Sequence, residues 1–355
     1  KSERIRMNGV PRKLQGGFDY FRGFHGDGGD RFDVKYFADG DPTPRDTEGY
    51  HTDVLADLAV EFLTEERDPD RPFFLRWGPI PPHEPYVAPE PYMEKWRDRA
   101  VELPPNVEFE EGDVVGATGS ETEVRNALRA YYAMVENIDD NVGRLLDTLE
   151  AEGIREDTVV VVLSDHGEML GSHGRMEKQW PYEESAGVPF VVSHPEGGID
   201  GGRVLPEPTS TEDWFPTLLG LAGVDTPEGK PGVDLSPLAR GEIDSLDRPG
   251  VMLEFVEERR EGFDWYDEIW RAFVTERYKY TVRGGAEGAA PWQLFDLDAD
   301  PYEQENLIDD PDYEGVAREL HGHLRGRAVE TGDPVVIQPA FGHDGVNEAW
   351  LDIDD

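Results

Sequence analysis

The chain is 355 residues long and carries 77 acidic against 34 basic residues, for a net charge of −43, with no cysteine at all. Such a polyanion repels a phosphate backbone, which excludes nucleic acid as a partner, and without cysteine there is neither a disulfide nor a thiolate to do chemistry. No run approaches the ~20 apolar residues that a spanning helix needs, so there is no membrane partner to read from the chain.

The acids are spread along the whole length, and the only lysines are Lys1, Lys13, Lys35, Lys95, Lys178, Lys230 and Lys279. A surface of this kind repels itself at low salt and is screened at molar salt, where the Debye length is about 3 Å, so a halophilic setting is expected. An acidic partner for some polycation is the alternative. No signal-peptide pattern is visible, and nothing in the composition names a compartment.

Alternating helical and strand patterns point to an α/β fold with one large core and a small second domain. Residues Tyr50 to Glu66 read as an amphipathic helix, with Val54, Leu55, Leu58, Ala59 and Phe62 on one face. A strand over Pro72 to Trp77 follows and delivers a proline-rich loop carrying His83. Residues 86 to 120, rich in proline and acid, read as a long excursion. From Glu121 to Glu152 runs one helical pattern, with Leu128, Tyr131, Tyr132, Val135, Ile138, Val142, Leu145 and Leu149 at helical spacing, ended by Gly153. Residues 159 to 163 are β-branched or Leu and read as a buried parallel strand. Another strand spans Val188 to Ser193, and Thr211 to Ala222 is a short helix with acids near its start.

Past Pro249 the pattern becomes short strands at Val251 to Phe255, Trp270 to Thr275, Tyr278 to Val282 and Trp292 to Leu297, then a helix near Tyr313 to Arg327. The expected division is 1–248 for the α/β domain, 249–330 for the small domain and 331–355 for an acidic tail. Internal repeats are absent.

The chemistry gathers after residue 163. Ligands of open α/β sheets bind beyond the carboxyl ends of strands, so the turn there would be delivered to an active-site edge. Asp165 offers a carboxylate oxygen and His166 an imidazole nitrogen, both good donors to a divalent cation, and Gly167 lets the backbone turn sharply beside them. Two donors do not close a coordination sphere; the others must come from elsewhere in the chain or from a substrate oxygen. Lys178 is a compact cation suited to a sulfate or phosphate oxygen. The dipeptide by itself reads equally as a surface turn, and His83 by itself as a histidine that packs in a loop.

The ordered run Ser164-Asp-His-Gly-Glu-Met-Leu-Gly-Ser-His-Gly174, then Lys178, Tyr182-Glu-Glu-Ser185 and Val188-Pro-Phe-Val-Val192, resembles the second half of the type I sulfatases, in the alkaline-phosphatase-like superfamily. Pro81-Pro-His-Glu-Pro-Tyr86 is similar to the sulfatase segment in which a histidine contacts the sulfate. Further matches are Gly17-Phe-Asp-Tyr-Phe-Arg-Gly-Phe24, Tyr50-His-Thr-Asp-Val-Leu-Ala-Asp57, Asp213-Trp-Phe-Pro-Thr-Leu-Leu-Gly220 and the segment Leu294 to Leu307, so that residues 17 to about 330 are covered in order.

This resemblance implies an alkaline-phosphatase-like mixed or parallel central sheet flanked by helices, with a small antiparallel α+β C-terminal domain. It makes Asp165 and His166 two of the metal ligands and gives Lys178 a sulfate oxygen. His83 becomes a sulfate contact or the proton donor to the departing alkoxide, and His173 a supporting group. The implied cofactor is a divalent metal, calcium by family habit, although Asp-His also suits manganese or zinc. The implied substrate is a small-molecule or saccharide sulfate ester. Many sulfatases have Asn at the second position; Asp-His resembles the iduronate and choline sulfatase branch and equally the phosphonate monoester hydrolases, so a phosphonate or phosphodiester hydrolase stays open.

In one respect the chain departs from that pattern. Family members carry a pair of acidic metal ligands and a Cys-x-Pro-Ser-Arg box whose cysteine becomes formylglycine. Here no cysteine exists, Ser236-Pro-Leu-Ala-Arg240 has the wrong spacing for a serine version, and Pro42-Thr-Pro-Arg45 places no nucleophile. Residues 17 to 24 resemble a part that lies after the box. The expectation is a chain that lacks the family's N-terminal segment, encodes no formylglycine and is inactive as it stands, completed by a missing N-terminal segment or a complementing chain. The alternative is a non-catalytic remnant that binds an anion or metal without turnover. The aromatic group Phe263, Trp265, Tyr266 and Trp270 either lines a substrate cleft or packs between domains. His25, His51, His194, His321, His323 and His343 read as ordinary surface or packing residues.

Overall fold

A computed structural model describes residues 10–24, 31–109, 119–256, 269–285 and 288–333. The chain divides into two compact units, one of residues 1–103 with 121–158, the other of residues 104–120 with 159–355.

The first unit opens with a small antiparallel sheet in the order β1 (Arg22–Gly23), β2 (Asp33–Ala38), β3 (Arg45–Glu48). Val34, Phe37 and Ala38 of β2 are buried. Strand β3 reads Arg-Asp-Thr-Glu, with no apolar face, so hydrophobic periodicity gives no sign of it. Helix α1 (His51–Glu61) continues as a π turn, Phe62–Glu66, matching the expected span. Residues 72–77, expected as a strand, have no regular structure, because a strand exists only where a neighbour completes its ladder.

Helix α2 (Glu90–Arg97) lies inside the segment expected to be an excursion. Pro89 is its N-cap and Pro91 falls in its first turn, where the missing N–H of proline costs nothing. Helix α3 (Glu121–Ala151) ends as expected at Gly153, whose φ of 71° is in the left-handed region. Its buried face differs from the apolar stripe read from the sequence. Tyr132 and Val135 are exposed, whereas Ala133, Met134, Asn137 and Asn141 are buried. The two amides explain the choice: both donate to Asp53 Oδ1 of α1, at 2.8 and 2.7 Å, so the seam between α1 and α3 is organised partly by hydrogen bonds.

The second unit holds the metal-motif strand. Strand β4 (Val160–Leu163) pairs antiparallel with β5 (Phe190–Ser193), in the register Val160↔Ser193 to Leu163↔Phe190. The expectation of a buried parallel strand is therefore corrected in both respects. A β-branched run does not encode the direction of its partner, and β4 is half-buried with Leu163 exposed. Between them lies the one-turn helix α4 (Glu183–Ala186). Helix α5 (Trp214–Leu221) starts from a 3₁₀ turn with a capping box formed by Ser210 and Asp213. Asp213 is fully buried and also receives both ends of the Arg248 guanidinium, at 2.9 and 2.7 Å. Helix α6 (Ser236–Arg240) follows.

The C-terminal region is an antiparallel meander, β6 (Val251–Phe255), β7 (Trp270–Val274), β8 (Tyr278–Gly285) and β9 (Gly288–Asp296), as the sequence suggested. Helix α7 (Glu314–Thr331) buries Ala317, Leu320, Leu324 and Ala328 at intervals of three and four. These pack with Phe273, Tyr280, Val282 and Leu294 of the sheet, and each fully buried leucine contributes about 2 kcal/mol. Asp333, at the start of the expected tail, is buried against Arg271.

Candidate functional site

Asp165 and His166 form the turn that leaves β4. Ser164 Oγ donates to His166 O at 2.8 Å, and the His166 N–H donates to Asp165 Oδ1 at 3.1 Å. His166 Nδ1 lies 2.7 Å from Gly167 O. A carbonyl can only accept, so the imidazole proton is assigned to Nδ1 and the lone pair to Nε2. Nε2 stands 3.9 Å from Asp165 Oδ2. With bonds of about 2.0–2.4 Å from each donor, one cation can be reached by both atoms. A carbonyl on the second ring nitrogen is the usual way a metal-binding histidine is oriented. The Asp165 side chain is 86% exposed, so it is presented to solvent. Among the described residues no group of three or more His, Cys, Asp or Glu could hold a metal, so this pair is two donors and not a complete site.

The turn is suspended from α4. Gly167 N donates to Ser185 O at 2.8 Å and Glu168 N to Glu184 O at 2.7 Å. A Cβ at position 167 would lie 2.0 Å from Glu184 O, so glycine is required there by close approach of backbone to backbone. Beyond it Met169, buried, donates its N–H to Glu177 O at 2.8 Å, and Glu177 N donates to the Glu168 carboxylate. This brings Lys178 onto a loop tied to the Asp165–His166 turn. Both neighbours of Lys178 are left-handed, Glu177 at φ 65° and Gln179 at φ 80°. Non-glycine residues adopt that region only where surroundings impose it. The bond from Trp270 Nε1 to Gln179 O, 2.7 Å, is one such constraint. It gives Trp270 a packing role; Phe263, Trp265 and Tyr266 lie outside the described residues.

His173 sits on the same loop at φ 52°. Its ring lies on that of Tyr182, and its Nε2 lies 3.1 Å from Asn106 Nδ2. The same amide nitrogen is 2.7 Å from Glu184 Oε1 and 3.0 Å from Tyr302 O. Burial lowers the His173 imidazole below its ordinary value.

His83 belongs to the other compact unit. Its loop is held by a buried arginine that sequence reasoning missed: Arg31 Nη2 donates to His83 O at 3.2 Å and to Glu84 O at 2.6 Å. The ring Nδ1 lies 3.0 Å from Glu84 O. Thus the structure brings Asp165 and His166 together, links Lys178 to them through one loop, and fixes His83 on its own scaffold.

Two histidines read as ordinary are fully buried. Among the described residues His51 has no hydrogen-bond partner at either ring nitrogen, and His321 meets Tyr280 Oη through Nδ1 at 3.1 Å. His25 and His343 lie outside the described residues. Ser236, of the rejected serine box, is buried at the start of α6, which is no position for a nucleophile.

The family model for sulfatases matches residues 5–224, and that for the C-terminal part of N-sulphoglucosamine sulphohydrolases matches residues 171–330. An ulvan-active sulfatase of Formosa agariphila is 31% identical over 329 residues, which is 91% of this chain and 61% of that protein. The chain spans 61%, 59% and 51% of the lengths of three curated relatives that it matches. The solved sulfatase-like protein yidJ of Bacteroides fragilis superposes with a TM-score of 0.80 at 26% identity, covering 93% of this chain and 70% of that one. The phosphonate monoester hydrolase of Agrobacterium radiobacter superposes with a TM-score of 0.63 at 25% identity, covering 80% and 62%.

Proposed function

Because the chain belongs to the sulfatase family, we propose that Asp165 and His166 supply two donors to the divalent cation of a sulfuric ester hydrolase. The observation that carries this reading is the orientation of His166, with Nδ1 on Gly167 O and Nε2 3.9 Å from Asp165 Oδ2. A bound cation would polarise a sulfuryl oxygen and acidify the attacking group. Calcium fits the oxygen donor, and manganese or zinc fits the mixed oxygen and nitrogen pair.

Lys178 binds a second sulfate oxygen as a point charge, on a backbone held in place from both sides. His83 contacts the sulfate or protonates the leaving alkoxide. The substrate is a saccharide sulfate ester, a class supported by the likeness to the N-acetylglucosamine-6-O-sulfatase of Bacteroides thetaiotaomicron, 25% identical over 86% of this chain. Residues 249–330 act as the small domain that shapes the cleft, and the whole operates in molar salt, a setting the net charge of −43 favours.

These 355 residues contain no cysteine and so encode no cysteine-derived formylglycine. By themselves they bind anion and cation without turnover, and the nucleophile is supplied from polypeptide outside them or by a complementing chain. A second reading, phosphonate monoester hydrolysis, is favoured by the likeness to the Agrobacterium radiobacter enzyme, and it would use Asp165 and His166 as cation donors in the same way.

The test is an assay of the purified 355-residue chain in molar KCl with manganese or calcium, against an aryl sulfate and an aryl phosphonate. No turnover of either is expected. Turnover that disappears in Asp165→Ala would overturn the proposed inactivity, and its preference between the two esters would decide the substrate class.

A further inference from the structure

Lys279 is one of seven lysines in the chain, yet its side chain is 1% exposed. Its Nζ lies 2.8 Å from Glu183 Oε1 and 2.7 Å from Glu303 Oε1. Glu303 is also fully buried and uses its second oxygen, Oε2, to accept the backbone N–H of Glu183 at 2.7 Å. Its own backbone is left-handed, at φ 53°. Taking a lysine and a glutamate out of water costs several kcal/mol per ion, and an apolar pair of the same volume is often as stable or more so. Stability alone is therefore a poor explanation for burying this pair.

Connectivity offers a better one. Glu303 caps the first N–H of α4, and Lys279 grips the side chain of the same residue, Glu183. The next two carbonyls of α4, on Glu184 and Ser185, are those that hold Glu168 N and Gly167 N. Two hydrogen bonds thus separate a buried ion pair of the C-terminal region from the residue that follows His166. A second tie runs in parallel, from Tyr302 O through Asn106 Nδ2 to Glu184 Oε1.

We propose that Lys279 and Glu303 are positioning residues for the cation-binding turn, setting the place of Asp165 and His166 through α4. This rests on the reading of that turn as a cation site. The ion pair fixes a four-residue helix that is too short to hold itself, and the glycine at 167 lets the turn hang directly on that helix.

The experiment compares amide hydrogen exchange in the wild-type chain, Glu303→Gln and the double variant Lys279→Met/Glu303→Gln, in molar KCl. In Glu303→Gln one end of the amide is a donor, and either Lys279 or Glu183 N must face it, so one contact turns repulsive. Exchange at Gly167 and Glu168 is expected to rise at least tenfold, while the β7–β8 ladder at Ala272 and Thr281 is unchanged. In the double variant the amide oxygen can turn to Glu183 N with no cation opposing it, and protection returns to within about threefold of wild type. Half-broadening of His166 by Mn²⁺ is expected to need about ten times more metal in Glu303→Gln and to recover in the double variant. Wild-type exchange rates at Gly167 and Glu168 in Glu303→Gln would overturn the proposal. So would a rise that merely tracks the ladder, or a double variant no better than the single. If Mn²⁺ fails to reach His166 in the wild type, the cation reading falls, and the exchange data still decide whether the pair positions the turn.

Discussion

Tyr182 lies flat against His173, with ring centroids 3.7 Å apart and planes 10° from parallel. The stack is closed at one end by Gln293 Nε2, which donates to Tyr182 Oη at 2.8 Å, and at the other by Asn106. Replacing Asn106 by alanine takes from the half-buried Glu184 carboxylate and the Tyr302 carbonyl the donor they share. The expected cost is about 2 kcal/mol, read from urea denaturation in molar salt.

Acid sensitivity has a named source. Burial holds the imidazoles of His51 and His321 down to about 4, with Arg31 and Arg325 adding repulsion. Their folded values lie below the unfolded value of about 6.5, so between pH 6.5 and 4 the unfolded chain takes up protons that the folded chain refuses. Stability is lost as pH falls through that window, by about 3 kcal/mol per histidine at the limit. Glu303 acts in the opposite direction, since burial raises its carboxyl from 4.5 to about 7 against the pull of Lys279, so that its ion pair with Lys279 is complete only above that pH. The folded chain keeps that proton longer, and the contribution is lost as pH rises from 4.5 towards 7. Denaturation curves of His51→Leu and wild type, compared at pH 7 and pH 4.5, are expected to converge at neutral pH and separate in acid, with the variant the more stable there.

Gly167 tolerates no side chain. In Gly167→Ala the new methyl must displace Glu184 O from 2.0 Å, which breaks the bonds at Gly167 N and Glu168 N together. A loss of about 2 kcal/mol is expected, with weakened cation binding, measured by denaturation and by metal titration of the same variant.

A net charge of −43 makes salt a direct lever. The melting temperature is expected to climb steadily between about 0.1 M and 2 M KCl, as the Debye length falls from about 10 Å towards 3 Å. A melting temperature indifferent to KCl over that range would contradict a halophilic setting.

What the sequence showed and what it hid divide along physical lines. Helices α1, α3, α5 and α7 and the four-stranded meander were legible, because each buries an apolar face with a regular period and ends at a turn residue. Strand β3 was not, since Arg-Asp-Thr-Glu carries no such face, and α2 was masked by prolines that a helix accepts in its first turn. Direction was hidden too: nothing in Val160–Leu163 says that its partner runs antiparallel. Of the proposed site residues, Asp165, His166, Lys178 and His83 came from motif order. The groups that hold them, Arg31, Asn106, Lys279 and Glu303, act across 50 to nearly 200 positions, a range over which a lone sequence carries no pairing signal. Two faint signs were available, the rarity of lysine at Lys279 and the place of Glu303 inside the matched segment Leu294 to Leu307.

The most direct test is a Mn²⁺ titration of the 355-residue chain in molar KCl, followed by nuclear magnetic resonance of the histidine rings. Stoichiometric Mn²⁺ is expected to broaden His166 first, Ca²⁺ to compete, and Asp165→Ala to abolish the effect at the same metal concentration. Equal broadening of the half-buried His323 and His166, or broadening of His166 that survives Asp165→Ala, would contradict a cation held between these two donors.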